Sequence, residues 1–192
     1  QLIAWARHTE REGSRIQSKI LPYGWYFHSA VDDGSDDILV RREVRNARDD
    51  VVEVQLSRLD TKSRSIRSLI AGMPSGVRLW LLDASKTPRM LMAQREGRSI
   101  VYWRESASAA WAVVADFNEY TEPGFTPLWV EQDGTVIVSA RRKDDYAALH
   151  RFDPITKQVD PQPLAHVRGF EKHPASLAIS AGALVPFSDA AF

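Results

Sequence analysis

The chain has 192 residues, 44% of them apolar, and its 25 basic residues balance 25 acidic ones to a formal net charge of zero. That length and apolar content allow a real hydrophobic core in one domain or one segment of a larger one. The charge balance argues against a nucleic-acid binder, and the absence of cysteine excludes disulfides, thiol catalysis and Cys-based zinc sites.

No apolar run approaches the ~18–20 residues of a membrane-spanning helix, so no membrane partner is expected. The start at Gln1 rather than Met points to a processed or excised chain, and the compartment stays open.

In chain order, Gln1 to Ala6 and Arg15 to Leu21 read as strands. Trp25, Tyr26 and Phe27 begin the first clear unit. Asp32-Asp33-Gly34-Ser35-Asp36 is a turn, where Gly supplies positive φ and Asp side chains cap local amides. Ile38-Leu39-Val40 reads as a short buried strand and Asn46 to Asp50 as a turn. Val52, Val54 and Leu56 alternate with Glu53, Gln55 and Ser57, the period of a half-buried strand. Thr61 to Arg64 turns, and Ile66 to Ile70 closes the unit.

A second unit follows the same plan: strands over Val77 to Leu82, Arg89 to Ala93, Ile100 to Trp103 and Trp111 to Phe117. A third runs Thr126 to Glu131, a turn at Asp133-Gly134, Val136 to Ala140, a turn at Lys143 to Asp145, and Tyr146 to Phe152. Its fourth strand, around Val159 to Leu164, is interrupted by Pro161 and Pro163. Ala175 to Ala183 is either a helical turn or a strand.

The units repeat in sequence. Leu56-Ser57-Arg58-Leu59-Asp60-Thr61 returns as Leu149-His150-Arg151-Phe152-Asp153-Pro154, 93 positions later (149 against 56). Halfway lies Val101-Tyr102-Trp103-Arg104-Glu105. Leu79-Trp80 before Asp83 is echoed by Leu128-Trp129 before Asp133, with the tryptophans 49 positions apart (129 against 80). A period of roughly 40–50 residues fits one four-stranded blade. The fold class expected is therefore all-β, with consecutive four-stranded antiparallel blades forming a partial β-propeller. Residues 1–170 would hold about three blades plus N-terminal strands, and 171–192 a tail of uncertain structure. Leu56 and Leu149 should be equivalent, as should Trp80 and Trp129.

The run from Ile38-Leu39-Val40 through Val54-x-Leu56-x-x-Leu59-Asp60-Thr61 to Gly76-Val77-Arg78-Leu79-Trp80-Leu81-Leu82-Asp83 resembles the N-terminal β-propeller of the prolyl oligopeptidase family of serine peptidases, in its dipeptidyl and acylaminoacyl peptidase branch. The strand end Leu149-His150-Arg151-Phe152-Asp153-Pro154-Ile155-Thr156 fits the same pattern. The resemblance spans roughly Trp25 to Phe170. It implies a non-catalytic segment that gates or binds peptide substrates, partnered by a C-terminal α/β-hydrolase domain that this sequence lacks. That domain carries a G-x-S-x-G elbow. Gly72-Met73-Pro74-Ser75-Gly76 has its serine one position late, so none of the family's catalytic residues transfers. A stand-alone scaffold or ligand-binding protein is the alternative. Open propeller ends would expose apolar faces, so self-association, or a tail folded back from Ala175, is expected.

Candidate chemistry is sparse. His8, His28, His150, His166 and His173 show no zinc-binding spacing. The Asp pairs at 32/33, 36/37, 49/50 and 144/145 fall in turns, where local hydrogen bonding is the favoured reading over calcium. Arg41-Arg42 and Arg141-Arg142 follow corresponding strands and either meet an acidic peptide terminus or form solvated strand ends. The tryptophans read as packing between neighbouring sheets. Ser63, Ser75 and Ser106 lie in turns without an identifiable base. No catalytic, cofactor-binding or metal-binding residue is assigned, and the chain alone is not expected to be an enzyme.

Overall fold

The computed structural model describes residues 21–141 and 147–164, and the backbone of two further strands at 177–180 and 183–186. The described elements are all β, built chiefly as three consecutive four-stranded antiparallel sheets. The first comprises β1 (Trp25–Ala30), β2 (Asp37–Arg45), β3 (Val51–Asp60) and β4 (Ile66–Ser68). The second comprises β5 (Val77–Leu82), β6 (Pro88–Arg95), β7 (Arg98–Trp103) and β8 (Ala112–Asn118). The third comprises β9 (Phe125–Val130), β10 (Val136–Arg141), β11 (Ala147–Asp153) and β12 (Gln158–Val159). Each sheet is a meander in chain order, so every link between sheets runs from an edge strand to the opposite edge of the next sheet. A small hairpin, β13 (Leu177–Ser180) with β14 (Ala183–Pro186), falls in the tail and selects the strand reading over the helical turn.

The period-2 alternation of strands explains how the sheets stack. In the second sheet, Leu91 and Ala93 of β6 join Val77, Trp80, Leu39, Val54 and Leu56 in a cluster against the first sheet. Met90, one position before Leu91, faces the other way with Val101 and Trp103 of β7, onto Val130, Val136, Val138 and Phe152 of the third sheet. The middle sheet is thus apolar on both faces. The Trp80 indole Nε1–H donates to the Val54 carbonyl at 2.7 Å, adding a directional bond between the first two sheets.

Leu56 and Leu149 lie on the third strands of the first and third sheets, with one sheet between them, as the repeat requires. Both are buried. Trp80 and Trp129 do share a strand position, the first of successive sheets, but their superposition is corrected. Trp80 pairs with Leu91 and faces the preceding sheet. Trp129 pairs with Ile137, between Val136 and Val138, and so lies on the face turned away from the preceding sheet. One residue of register moves a strand side chain to the opposite face. The halfway copy is also displaced: Arg104 lies one residue past β7, whereas Arg58 and Arg151 lie within β3 and β11.

The outer faces differ from expectation at their centres. Val40 and Leu59 lie opposite the Leu39–Leu56 face of the first sheet, and Ile137 on the far face of the third. Their exposures are 0%, 2% and 0%. Phe27, beside Val40 at the edge, is 59% exposed.

Turns are fixed by recurrent aspartates. Asp60 accepts from the Lys62 and Ser63 amides, Asp83 from Thr87 N, Asp133 from Thr135 N and Asp153 from Ile155 N. These carboxylates stand in for amide partners that the tight reversals leave unpaired.

Candidate functional site

Between the first two sheets lies a cleft of about 720 Å³. Val31, Leu39 and Leu69 supply apolar wall from the first sheet and the link after it. The β5–β6 turn and the segment from Arg104 to Trp111 close the other side. Among the described residues, four cationic side chains line it, Arg58, Arg67, Lys86 and Arg104, and no carboxylate does.

The four cations are not equivalent. Arg58 is neutralised: its Nε donates to Asp37 at 2.5 Å and its Nη2 pairs with Asp33 at 2.8 Å. Arg104 is 9% exposed and has no ion pair among the described residues. It is held by neutral groups. Nε donates to the Pro88 carbonyl at 2.7 Å, Nη1 to the Ala107 carbonyl at 3.1 Å, and the guanidinium lies 4.5 Å from the Trp111 ring centre. Burial, and after it the nearby Arg89 cation, push the Arg104 pKa below the usual arginine value. Arg89 is itself satisfied by Asp83 at 3.3 Å and by the Arg104 carbonyl at 2.9 Å, and lies over Trp103. A buried cation without a counter-ion is costly, and carbonyls and a π face recover only part of its lost hydration.

Local sequence explains this construction. Pro88, lacking an amide hydrogen, begins β6 at the bulge where Leu81 and Leu82 shift register. Asp83, Ser85 and Thr87 close the hairpin by side-chain bonds, and Lys86 turns the corner at φ 62°. Trp111 is fixed from behind by an edge-on contact with Trp80, ring centres 6.1 Å apart.

The residues singled out by sequence are dispersed. Arg41 and Arg42 sit inside β2, not after it, because the strand continues to Arg45. They stack on Tyr26 and Trp25 respectively, at 5.5 and 5.8 Å. Arg141 ends β10 and is exposed; Arg142 lies outside the described residues. His8, His166, His173, Asp144 and Asp145 lie outside them too. His150 is buried, with Nδ1 2.8 Å from the Asp160 carbonyl, which ties β11 to the segment beyond β12. His28 Nδ1 is 3.4 Å from Ser29 Oγ, and no carboxylate orients its ring among the described residues. Burial, then the Arg41 and Lys86 cations, lower its pKa.

The acidic turn is consumed by Arg58 and by Lys62, which pairs with Asp36. In the other central turn, Asn46 Oδ1 accepts from the Arg48 and Asp50 amides. Among the described residues no three His, Cys, Asp or Glu side chains are grouped to hold a metal ion. Ser75, in the near-miss elbow, uses its carbonyl to accept two bonds from Arg95, at 2.9 and 2.8 Å.

Sequence reasoning did not find the cleft. Arg104 drew notice only as an echo of the repeat, and Arg67 and Lys86 not at all. The available signal was weak: an arginine directly after Trp103, and a second tryptophan seven positions on. Chemically, the described lining of the cleft offers cations, hydroxyls and apolar wall. Searches with protein-family models and against curated proteins find no match for this chain.

Proposed function

We propose that this chain is a non-catalytic binding segment, a partial β-propeller of about three blades from a prolyl-oligopeptidase-like serine peptidase. In that setting it gates or binds short peptides, and an α/β-hydrolase domain performs the acyl transfer. One observation carries the reading: three successive meanders, each handing the chain from its last strand to the first strand of the next. Radially repeated four-stranded blades have this connectivity. The second reading, a stand-alone ligand-binding scaffold, is favoured by the cleft, whose walls come from the first two sheets and their links.

The test pairs a reactivity assay with a binding assay on the purified chain. A serine-directed fluorophosphonate and short chromogenic peptide esters should give no stoichiometric labelling and no turnover, while short peptides should change the tryptophan fluorescence. Labelling of a single serine, with turnover lost on its replacement, would show a complete hydrolase instead. Downstream coding sequence separates the two readings: continuation into a G-x-S-x-G domain supports the first, and termination the second.

A further inference from the structure

We infer that the cleft between the first two sheets is a carboxylate site. Its ligand is a carboxylate carried on an apolar body, and in the peptide setting proposed above, on which that form rests, it is the free C-terminal end of a short peptide.

Three features converge. First, Arg104 is nine-tenths buried and lines the cleft, yet both of its side-chain hydrogen bonds among the described residues go to neutral carbonyls, through Nε and Nη1. Nη2 has no acceptor among the described residues, so it remains available as a donor. Second, Lys86 and Arg67 line the same cleft without an ion pair among the described residues. The neighbouring Arg58 and Arg89 each have carboxylate partners, whereas these three cations have none among the described residues. Third, much of the remaining wall is apolar, interrupted by the hydroxyls of Ser68, Ser85, Thr87 and Ser108. Val31 and Leu39 are buried, and Trp111 presents a ring already braced by Trp80.

An entering carboxylate would supply the direct ion pair that Arg104 lacks. Its apolar body would replace water against Leu39, Leu69 and Trp111. The Trp111 face holds the guanidinium in one plane, which favours a planar acceptor such as carboxylate. No proton or covalent step is involved.

The experiment is calorimetric titration of the purified chain with three probes: N-acetyl-Ala-Ala-Phe as the free acid, the same peptide as its C-terminal amide, and 3-phenylpropionate. The acid should bind at least about tenfold more tightly than the amide, the loss of roughly one charge-assisted hydrogen bond. Arg104→Gln should remove that preference. Because Arg104 also supports two carbonyls, Lys86→Gln and Arg67→Gln, on less buried positions, provide independent variants, each expected to weaken the acid several-fold and the amide little. Equal binding of acid and amide overturns the carboxylate assignment and leaves peptide binding standing. Binding of 3-phenylpropionate alone supports the carboxylate site and removes the peptide reading. No binding of any probe, or acid binding unaffected by all three substitutions, overturns the inference.

Discussion

Arg89 and Arg104 lock the ends of neighbouring strands by crossing bonds. The Arg104 amide donates to the Arg89 carbonyl at 3.0 Å, and Arg89 Nε donates back to the Arg104 carbonyl at 2.9 Å. Arg104 Nε reaches the adjacent Pro88 carbonyl at 2.7 Å. Each guanidinium also covers a tryptophan, Trp103 for Arg89 and Trp111 for Arg104. The pair differs in one respect: Asp83 pairs directly with Arg89, whereas Arg104 has no ion pair among the described residues and feels Asp83 only at longer range. The cleft's character follows from that asymmetry.

The bond between Trp80 and Val54 should be measurable as stability. Trp80→Phe keeps most of the apolar contact but leaves the Val54 carbonyl without its 2.7 Å donor. A buried acceptor left unpaired costs about 1–3 kcal/mol. Trp80→Ala adds a cavity between the first two sheets and should cost about 3–5 kcal/mol. Urea midpoints of the two variants check both figures, and a Trp80→Phe variant as stable as the parent would show that the bond contributes nothing.

Two glycines should respond to alanine for different reasons. At Gly124 an added Cβ would meet the Phe117 ring at 2.2 Å. Phe117 stacks on Phe125, and Phe125 on Phe152, so the clash enters the core between the second and third sheets. Overpacking of this kind costs about 1–3 kcal/mol. At Gly134 there is open space but φ is 88°, so Gly134→Ala should cost about 1 kcal/mol through backbone strain alone. Thermal melts should therefore rank Gly124→Ala as the more damaging change.

Acid should weaken the fold through its turn aspartates. The Asp33 pKa is lowered to about 2, first by the Ser35 hydroxyl, then by Arg58. The Ser63 hydroxyl acts alike on Asp60, the Thr135 amide on Asp133 and the Ile155 amide on Asp153. A carboxyl with a depressed folded pKa contributes stability above its unfolded value, near ~4, and loses it as pH falls through the folded value. The stability difference between the parent and Asp33→Asn should thus be constant above about pH 5 and close toward pH 2. Urea midpoints between pH 7 and pH 2 measure it; a gap unchanged at pH 2 would contradict the assignment.

Strand positions were legible because turns here are marked by residues with a mechanism. Asp33-Gly34, Gly97 and Asp133-Gly134 sit at reversals, and Val77–Leu82 begins and ends where its apolar run does. The boundaries of β2 were not legible, since Arg41, Arg42, Glu43 and Arg45 are charged, with only Val44 apolar among them, and owe their pairing to β3. The face of Trp129 was lost to a single-residue offset, because a bulge between Ile137 and Val138 resets the register. The cleft was illegible for a different reason. Its walls come from segments between Val31 and Trp111 that meet only when the sheets stack. Exposure of a cation is a tertiary property that no local pattern encodes.

The central claim, that the cleft beside Trp111 receives the ligand, is tested most directly by heteronuclear NMR of the full chain titrated with N-acetyl-Ala-Ala-Phe free acid. The account predicts saturable shifts of the Trp111 indole N–H and of the amides from Ala107 to Ala110, with the Trp129 indole unmoved. Shifts centred instead on Glu119 and Gly124, between the second and third sheets, or no shifts at saturating peptide, would contradict it.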